Sequence, residues 1–129
     1  MRRVLIVDDN KEVVRALSDM LEINDIMSDA IHNSNDFATL LSTTNFKGLS
    51  AIIMDYNLED TRNGVALLVD ADAKGALFKK EVFFYSGNID YIKKEERDFL
   101  INKKIRVFSK TQMSSMVDDI VIKISQQRA

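Results

Sequence analysis

Asp8 and Asp9, Asp55, Ser86 and Lys110 each stand directly after a short, largely apolar run, and together they are the reactive groups of this chain. Three carboxylates gathered without counter-charge repel one another, and their pKa values rise. A divalent cation removes that repulsion, and hard oxygen ligands with positions left open for water suit magnesium. A metal-bound carboxylate, a hydroxyl and an ammonium around one cavity form a site for a phosphoryl group. The metal and Lys110 would balance charge on its oxygens, Ser86 would donate a hydrogen bond, and Asp55 would attack phosphorus. Each residue also has an ordinary reading. Asp8 and Asp9 could serve a helix cap, Ser86 before Gly87 could be a turn, and Lys110 could be a solvated lysine. A cation at a helix start, however, wants an anionic partner.

The chemistry requires that these groups meet, so the elements before them matter. The run of Leu49, Ser50, Ala51, Ile52, Ile53 and Met54 that ends at Asp55 reads as a strand buried on both faces, the mark of a parallel sheet covered by helices. Residues 4–7, 82–85 and 105–109 form similar strands, and residues 27–31 a more polar one expected at the sheet edge. Between them lie helical patterns. Asn10 caps the first, with Val13, Leu17, Met20 and Leu21 inward. Ser34 or Asn35 caps a short second helix carrying Phe37, Leu40 and Leu41. Gly64 opens a third with Val65, Leu68 and Val69 inward, and Gly75 closes it. Residues 89–102 read as a charged fourth helix. Thr111 caps a fifth, whose Met113, Met116, Val117, Ile120, Val121 and Ile124 form a core stripe. Strands alternating with helices predict an α/β fold, a doubly wound five-stranded parallel sheet with right-handed crossovers. All strand carboxyl ends then open on one crevice, where ligands bind.

Composition narrows the function. Of 129 residues, 46% are hydrophobic and 29% charged, which is enough for one domain, 1–129, with a sizeable core. A net charge of −2 and a pI near 5.4 give no basic excess for direct contact with nucleic acid or an anionic membrane. The absence of cysteine excludes a disulfide framework, a thiol nucleophile and a thiolate metal site. No apolar run has the length of a signal peptide core or a membrane span, so a cytoplasmic protein is expected. His32, after the edge strand, reads as a surface or boundary residue away from the acids.

Paired acids after the first strand, an aspartate after the third, a hydroxyl and a small residue after the fourth and a lysine after the fifth resemble the receiver domains of two-component response regulators. The likeness to these CheY-like domains runs from Val4 to about Ser125. It implies the flavodoxin-like sheet order 2-1-3-4-5. It further implies that Asp55 is the phosphoacceptor, Asp9 a direct metal ligand and Asp8 a ligand through metal-bound water, with the Asn57 carbonyl completing the shell. Lys110 and Ser86 would contact the phosphoryl group, and Gly87 would leave access to it. The implied cofactor is Mg2+, with Mn2+ able to replace it. The implied partners are a histidine kinase or a histidine phosphotransfer protein and a downstream protein target, with a weak homodimer allowed. Such a domain is not an enzyme in the ordinary sense, since it catalyses only its own phosphorylation and dephosphorylation.

Three departures bear on the switch rather than on the phosphoryl chemistry. The position three before the lysine, usually aromatic, is Val107, and strand alternation sends the adjacent Phe108 to the other face. The usual proline after the lysine is Thr111, where a cis bond would cost about 2.5–4 kcal/mol. The loop from Asp55 to Gly64 is one residue longer than usual and lacks proline. Two other readings remain: an unphosphorylated scaffold on the same fold, against which the intact acids speak, and a haloacid-dehalogenase-like phosphatase, which needs an acid where Asn57 stands. No output domain is expected within residues 1–129; in a longer regulator this would be the N-terminal receiver.

Overall fold

Apolar β-branched and aromatic residues along a short run favour a strand covered on both sides, and the computed structural model, which describes residues 3–58 and 62–127, has five strands in one sheet, the inner ones of this kind. They are β1 (Arg3–Val7), β2 (Met27–Ile31), β3 (Ala51–Asp55), β4 (Glu81–Ser86) and β5 (Arg106–Ser109). All pairings are parallel, in the order β2-β1-β3-β4-β5. The expected topology is therefore present. Every residue of β3 is buried, whereas β2 at the edge is half exposed, as its mixed polarity requires.

Alternation divides the core in two. Leu5, Val7, Ile52, Met54 and Phe84 face one way, toward Phe37, Leu67, Leu68 and Leu100. Those four lie on α2 (Ser34–Leu41), α3 (Gly64–Ala73) and α4 (Lys94–Asn102). Val4, Ile6, Ile53, Phe83, Tyr85 and Phe108 face the other way, toward Leu17, Leu21, Met116, Ile120 and Ile124 of α1 (Lys11–Ile23) and α5 (Met113–Gln126). No helix among the described residues is long and apolar enough to cross a membrane.

The helix boundaries differ from the sequence reading in informative ways. Asn10 caps α1 as expected, accepting from the amides of Glu12 and Val13. The cap of α2 is Asn33, not Ser34 or Asn35, because the Asn33 side chain accepts from Asp36 at 2.8 Å while Ser34 is buried. In α3 the inward stripe is Gly64, Leu67, Leu68 and Ala71, the i, i+3, i+4, i+7 pattern. Val65 is buried beside it, but Val69 lies about 40° further round the helix than Val65 and is exposed. Gly75, at φ +71°, follows the C-terminal residue Lys74 and supplies the left-handed turn.

Residues 89–102 are not one helix. A single 3-10 turn, Ile89–Tyr91, precedes α4, and Ile92 between them is extended and buried at 3% exposure. Sinking that side chain into the core breaks the helical path, and Glu96 then reaches back to the Lys93 amide at 2.9 Å to start α4. Thr111 likewise does not cap α5. It lies within a 3-10 turn, Lys110–Gln112, whose start is held by the Gln112 side chain accepting from the Ser109 amide at 2.9 Å. The Lys110–Thr111 bond is trans, as are all described peptide bonds. Glu59, Asp60 and Thr61 of the long loop lie outside the described residues.

Gly64 brings α3 hard against the end of β3. A Cβ there would stand 2.1 Å from the Asp55 carbonyl oxygen and 2.8 Å from Met54 Cγ, and the Gly64 amide already donates to the Tyr56 carbonyl at 2.9 Å. No side-chain rotation relieves a clash with backbone. Gly64→Ala should therefore destabilise the fold by about 1–3 kcal/mol, the usual penalty of overpacking. Gly48→Ala, where nothing lies within 4 Å, should be close to neutral. Urea denaturation of both variants checks this; equal midpoints would contradict it.

Candidate functional site

The strand register sets the site. Val7 pairs with Met54, and Asp55 pairs with Tyr85, so the next residues along, Asp8 and Ser86, emerge on either side of Asp55. Ligand atoms of Asp8, Asp9 and Asp55 all lie within 4.8 Å of one another. Asp8 and Asp55 are fully buried, and Asp9 is half-buried. Lys110 Nζ stands 3.4 Å from Asp55 Oδ2, and Asp55 Oδ1 is buried with no hydrogen-bond partner. Asp8 Oδ1 accepts from the Asn10 amide at 2.8 Å, and Asp8 Oδ2 accepts from the Tyr85 hydroxyl.

Burial pushes the Asp55 carboxyl up to about 7, the charge of Asp8 pushes it further in the same direction, and Lys110 pulls the other way without prevailing. One ammonium at 3.4 Å does not neutralise the cluster. An orphaned buried carboxylate oxygen beside two more carboxylates is a set of hard oxygen donors that fits a divalent metal ion.

Solved structures of the same shape were found in number, although no family model matches the sequence and no curated protein matches it. A response regulator receiver protein from Pseudoalteromonas atlantica aligns with a TM-score of 0.79 at 17% identity, over 98% of this chain and 99% of that one. A CheY-like receiver domain protein from Methanospirillum hungatei JF-1 gives 0.77 at 19% identity, over 98% and 96%. Another, from Methylobacillus flagellatus, gives 0.76 at 22% identity, over 96% and 98%. The fold is that of a CheY-like receiver domain. At these identities the likeness speaks for the fold, and the site must be argued from its own residues.

Within this receiver fold the remaining expected residues take distinct places. The Ser86 hydroxyl is fully buried and turned to its own loop, donating to the Asn88 carbonyl at 3.1 Å and accepting from its amide at 3.2 Å. Gly87 lies beside Lys110, whose Cδ would be 4.0 Å from an added Cβ. Asn57, two residues beyond Asp55, is exposed. Val107 packs on the Phe84 side of the sheet, while Phe108 joins the opposite core, as alternation required.

Some neighbours were not foreseen. His32 is not remote from the acids: its Nδ1 lies 2.9 Å from the Asp8 carbonyl oxygen, because β2 pairs with β1 up to Ile31 opposite Val7. Tyr85 shares the parity of Asp55's neighbour Ile53 and so points toward Asp8; a polar tip on an otherwise apolar strand was the available signal. Tyr56 directly follows Asp55 and donates to Glu96 Oε1 at 2.8 Å, and Asn63 Nδ2 donates to Glu96 Oε2 at 2.9 Å. Burial and the Glu96 carboxylate push the Tyr56 phenol up to about 12. Burial alone would raise Glu96, but the Lys93 amide, the Tyr56 hydroxyl and the Asn63 amide outweigh it and hold that carboxyl below its usual value.

The raised Asp55 value carries a pH dependence. Between about 4 and 7 the folded chain keeps a proton on Asp55 that the unfolded chain has released, so this residue's contribution to stability falls as pH rises through that window. Without added metal, Asp55→Asn should be more stable than the wild type at pH 8, by on the order of 2 kcal/mol, with the gap closing toward pH 4. Denaturant titrations of the pair at both pH values test this, and a gap independent of pH would refute it.

Proposed function

We propose that this chain is the phosphoacceptor receiver of a two-component phosphorelay, taking a phosphoryl group onto Asp55. The observation that carries the reading is the meeting of Asp8, Asp9 and Asp55 within 4.8 Å at the carboxyl ends of adjacent strands, with Lys110 on Asp55. A structural ion pair needs one carboxylate, not three. The metal would be held by Asp8, Asp9, Asp55 and the Asn57 carbonyl, and Mg2+ suits these oxygens, with Mn2+ as a substitute. Bound there, it would supply positive charge that keeps Asp55 ionised and offsets charge on the phosphoryl oxygens.

The chain's own residues do the rest. An Asp55 oxygen forms the O–P bond as the N–P bond of a donor phosphohistidine breaks. The imidazole nitrogen keeps the electron pair and takes a proton, leaving an acyl phosphate on the receiver. Lys110, 3.4 Å from Asp55, would offer a cation to one phosphoryl oxygen, and Ser86 would turn from the Asn88 loop to donate to another. Gly87 keeps the approach open. The donor would be a histidine kinase or a histidine phosphotransfer protein in the cytoplasm, and the output a contact with a downstream protein. The chain would catalyse only its own phosphorylation and dephosphorylation.

Incubation with acetyl phosphate and magnesium, read by intact mass, should add one phosphoryl group to the wild type and none to Asp55→Asn. Equal labelling of both would refute the assignment. Asp9→Ala should weaken magnesium binding at least about tenfold, since it removes one of few direct charged ligands; an unchanged affinity by calorimetry would move the metal elsewhere.

The output should run through the loop after β4. Val107 is short, β-branched and nearly fixed at χ1, so it cannot swing as an aromatic ring would. Beryllofluoride with magnesium should move amide resonances most between Ser86 and Lys94, where Ser86 releases Asn88. Largest changes at Val107 and its core neighbours would show that the switch runs through that position instead.

A further inference from the structure

The Tyr85 side chain stands where the phosphoryl chemistry gives it no task, and it touches two of the site's charges. It is fully buried on β4, paired in register with Asp55 on one side and Phe108 on the other. Its hydroxyl donates to Asp8 Oδ2, and Lys110 Nζ lies 5.5 Å from its ring centroid. Asp8 Oδ1 is already fixed by the Asn10 amide at 2.8 Å, so the carboxylate is positioned without the phenol. What the hydroxyl adds is a donor to the second Asp8 oxygen, beside two further carboxylates.

Resting on the reading of Asp8, Asp9 and Asp55 as a divalent metal site, we infer that Tyr85, acting through Asp8, sets the affinity of that site by occupying the Asp8 oxygen facing it. The hydroxyl acts as a neutral stand-in for part of the cation's role. It quiets carboxylate repulsion in the metal-free protein, and it claims electron density that an incoming ion or its water would otherwise use. Both effects lower the gain on metal binding. The receiver is thereby held to a weaker, more concentration-sensitive response to magnesium than its three carboxylates alone would give.

Tyr85→Phe keeps the ring, its burial and its contact with Lys110, and removes only the donor. Calorimetry with magnesium chloride on the full chain should show binding about three- to tenfold tighter than wild type, the scale of a partly lost charge-assisted hydrogen bond. In an Asp8→Asn background the same change should have no effect. Phe83→Leu, which alters a buried aromatic on the same face, should leave the affinity unchanged. Should Tyr85→Phe fail to fold, the wild type labelled at tyrosine Cζ answers the question. Magnesium should then shift Tyr85 more than Tyr56 or the exposed Tyr91. Equal or weaker binding by Tyr85→Phe, or a Tyr85 resonance that ignores magnesium, overturns the inference and leaves the receiver reading intact. A wild type that does not bind magnesium overturns both.

Discussion

Buried like charge is the constraint on which this molecule depends. Two carboxylates fully withdrawn from water and a third half-withdrawn, with ligand atoms within 4.8 Å, cannot all be ionised at low cost. A fold optimised for stability alone would replace them by apolar groups. Here the apolar strands instead deliver them to one place. β1 and β3 each end in acid at matched register, and β4 and β5 bring a hydroxyl and an ammonium to the flank. The core on both faces of the sheet offsets the strain at its edge.

The surroundings of the cluster are correspondingly exact in volume. α3 starts against the Asp55 carbonyl, closer than any side chain would permit, and this contact fixes the direction of the β3 end. From the next residue, Tyr56, a hydrogen-bonded path runs through Glu96 to the first turn of α4. That path ties the end of β3 to α4. Tyr56 also stacks edge-on with Phe84 at 6.0 Å, and Phe84 is the register partner of Val107. Packing holds this side of the strand ends, and on the other side Ser86 and Asn88 are hydrogen-bonded within their own loop.

Most of the fold was legible because its strands are short, uninterrupted and apolar, and because the acids end them. The opposed faces of Val107 and Phe108 and the convergence of Asp8, Asp9, Asp55 and Lys110 follow from that pattern, whereas the sheet order came from the resemblance to receiver domains. Caps were harder. Asn33, Ser34 and Asn35 are each competent, and only the backbone geometry selects Asn33. Residues 89–102 misled because charge density suggested a continuous solvated helix, while one buried residue, Ile92, dictated the break. Tyr85 was passed over as a core residue and His32 was placed away from the acids, since a one-dimensional period does not show which polar tips meet across neighbouring strands.

The central claim is that Asp55 is a carboxylate held in an electrostatically unfavourable place until a cation joins it. A titration of the wild type labelled at the aspartate Cγ carbon, followed by NMR with and without magnesium, measures this directly. The account predicts an Asp55 midpoint near 7 in the absence of metal and a fall of at least about one unit when magnesium is saturating. An Asp55 midpoint at the ordinary value of about 4, unmoved by magnesium, would contradict it.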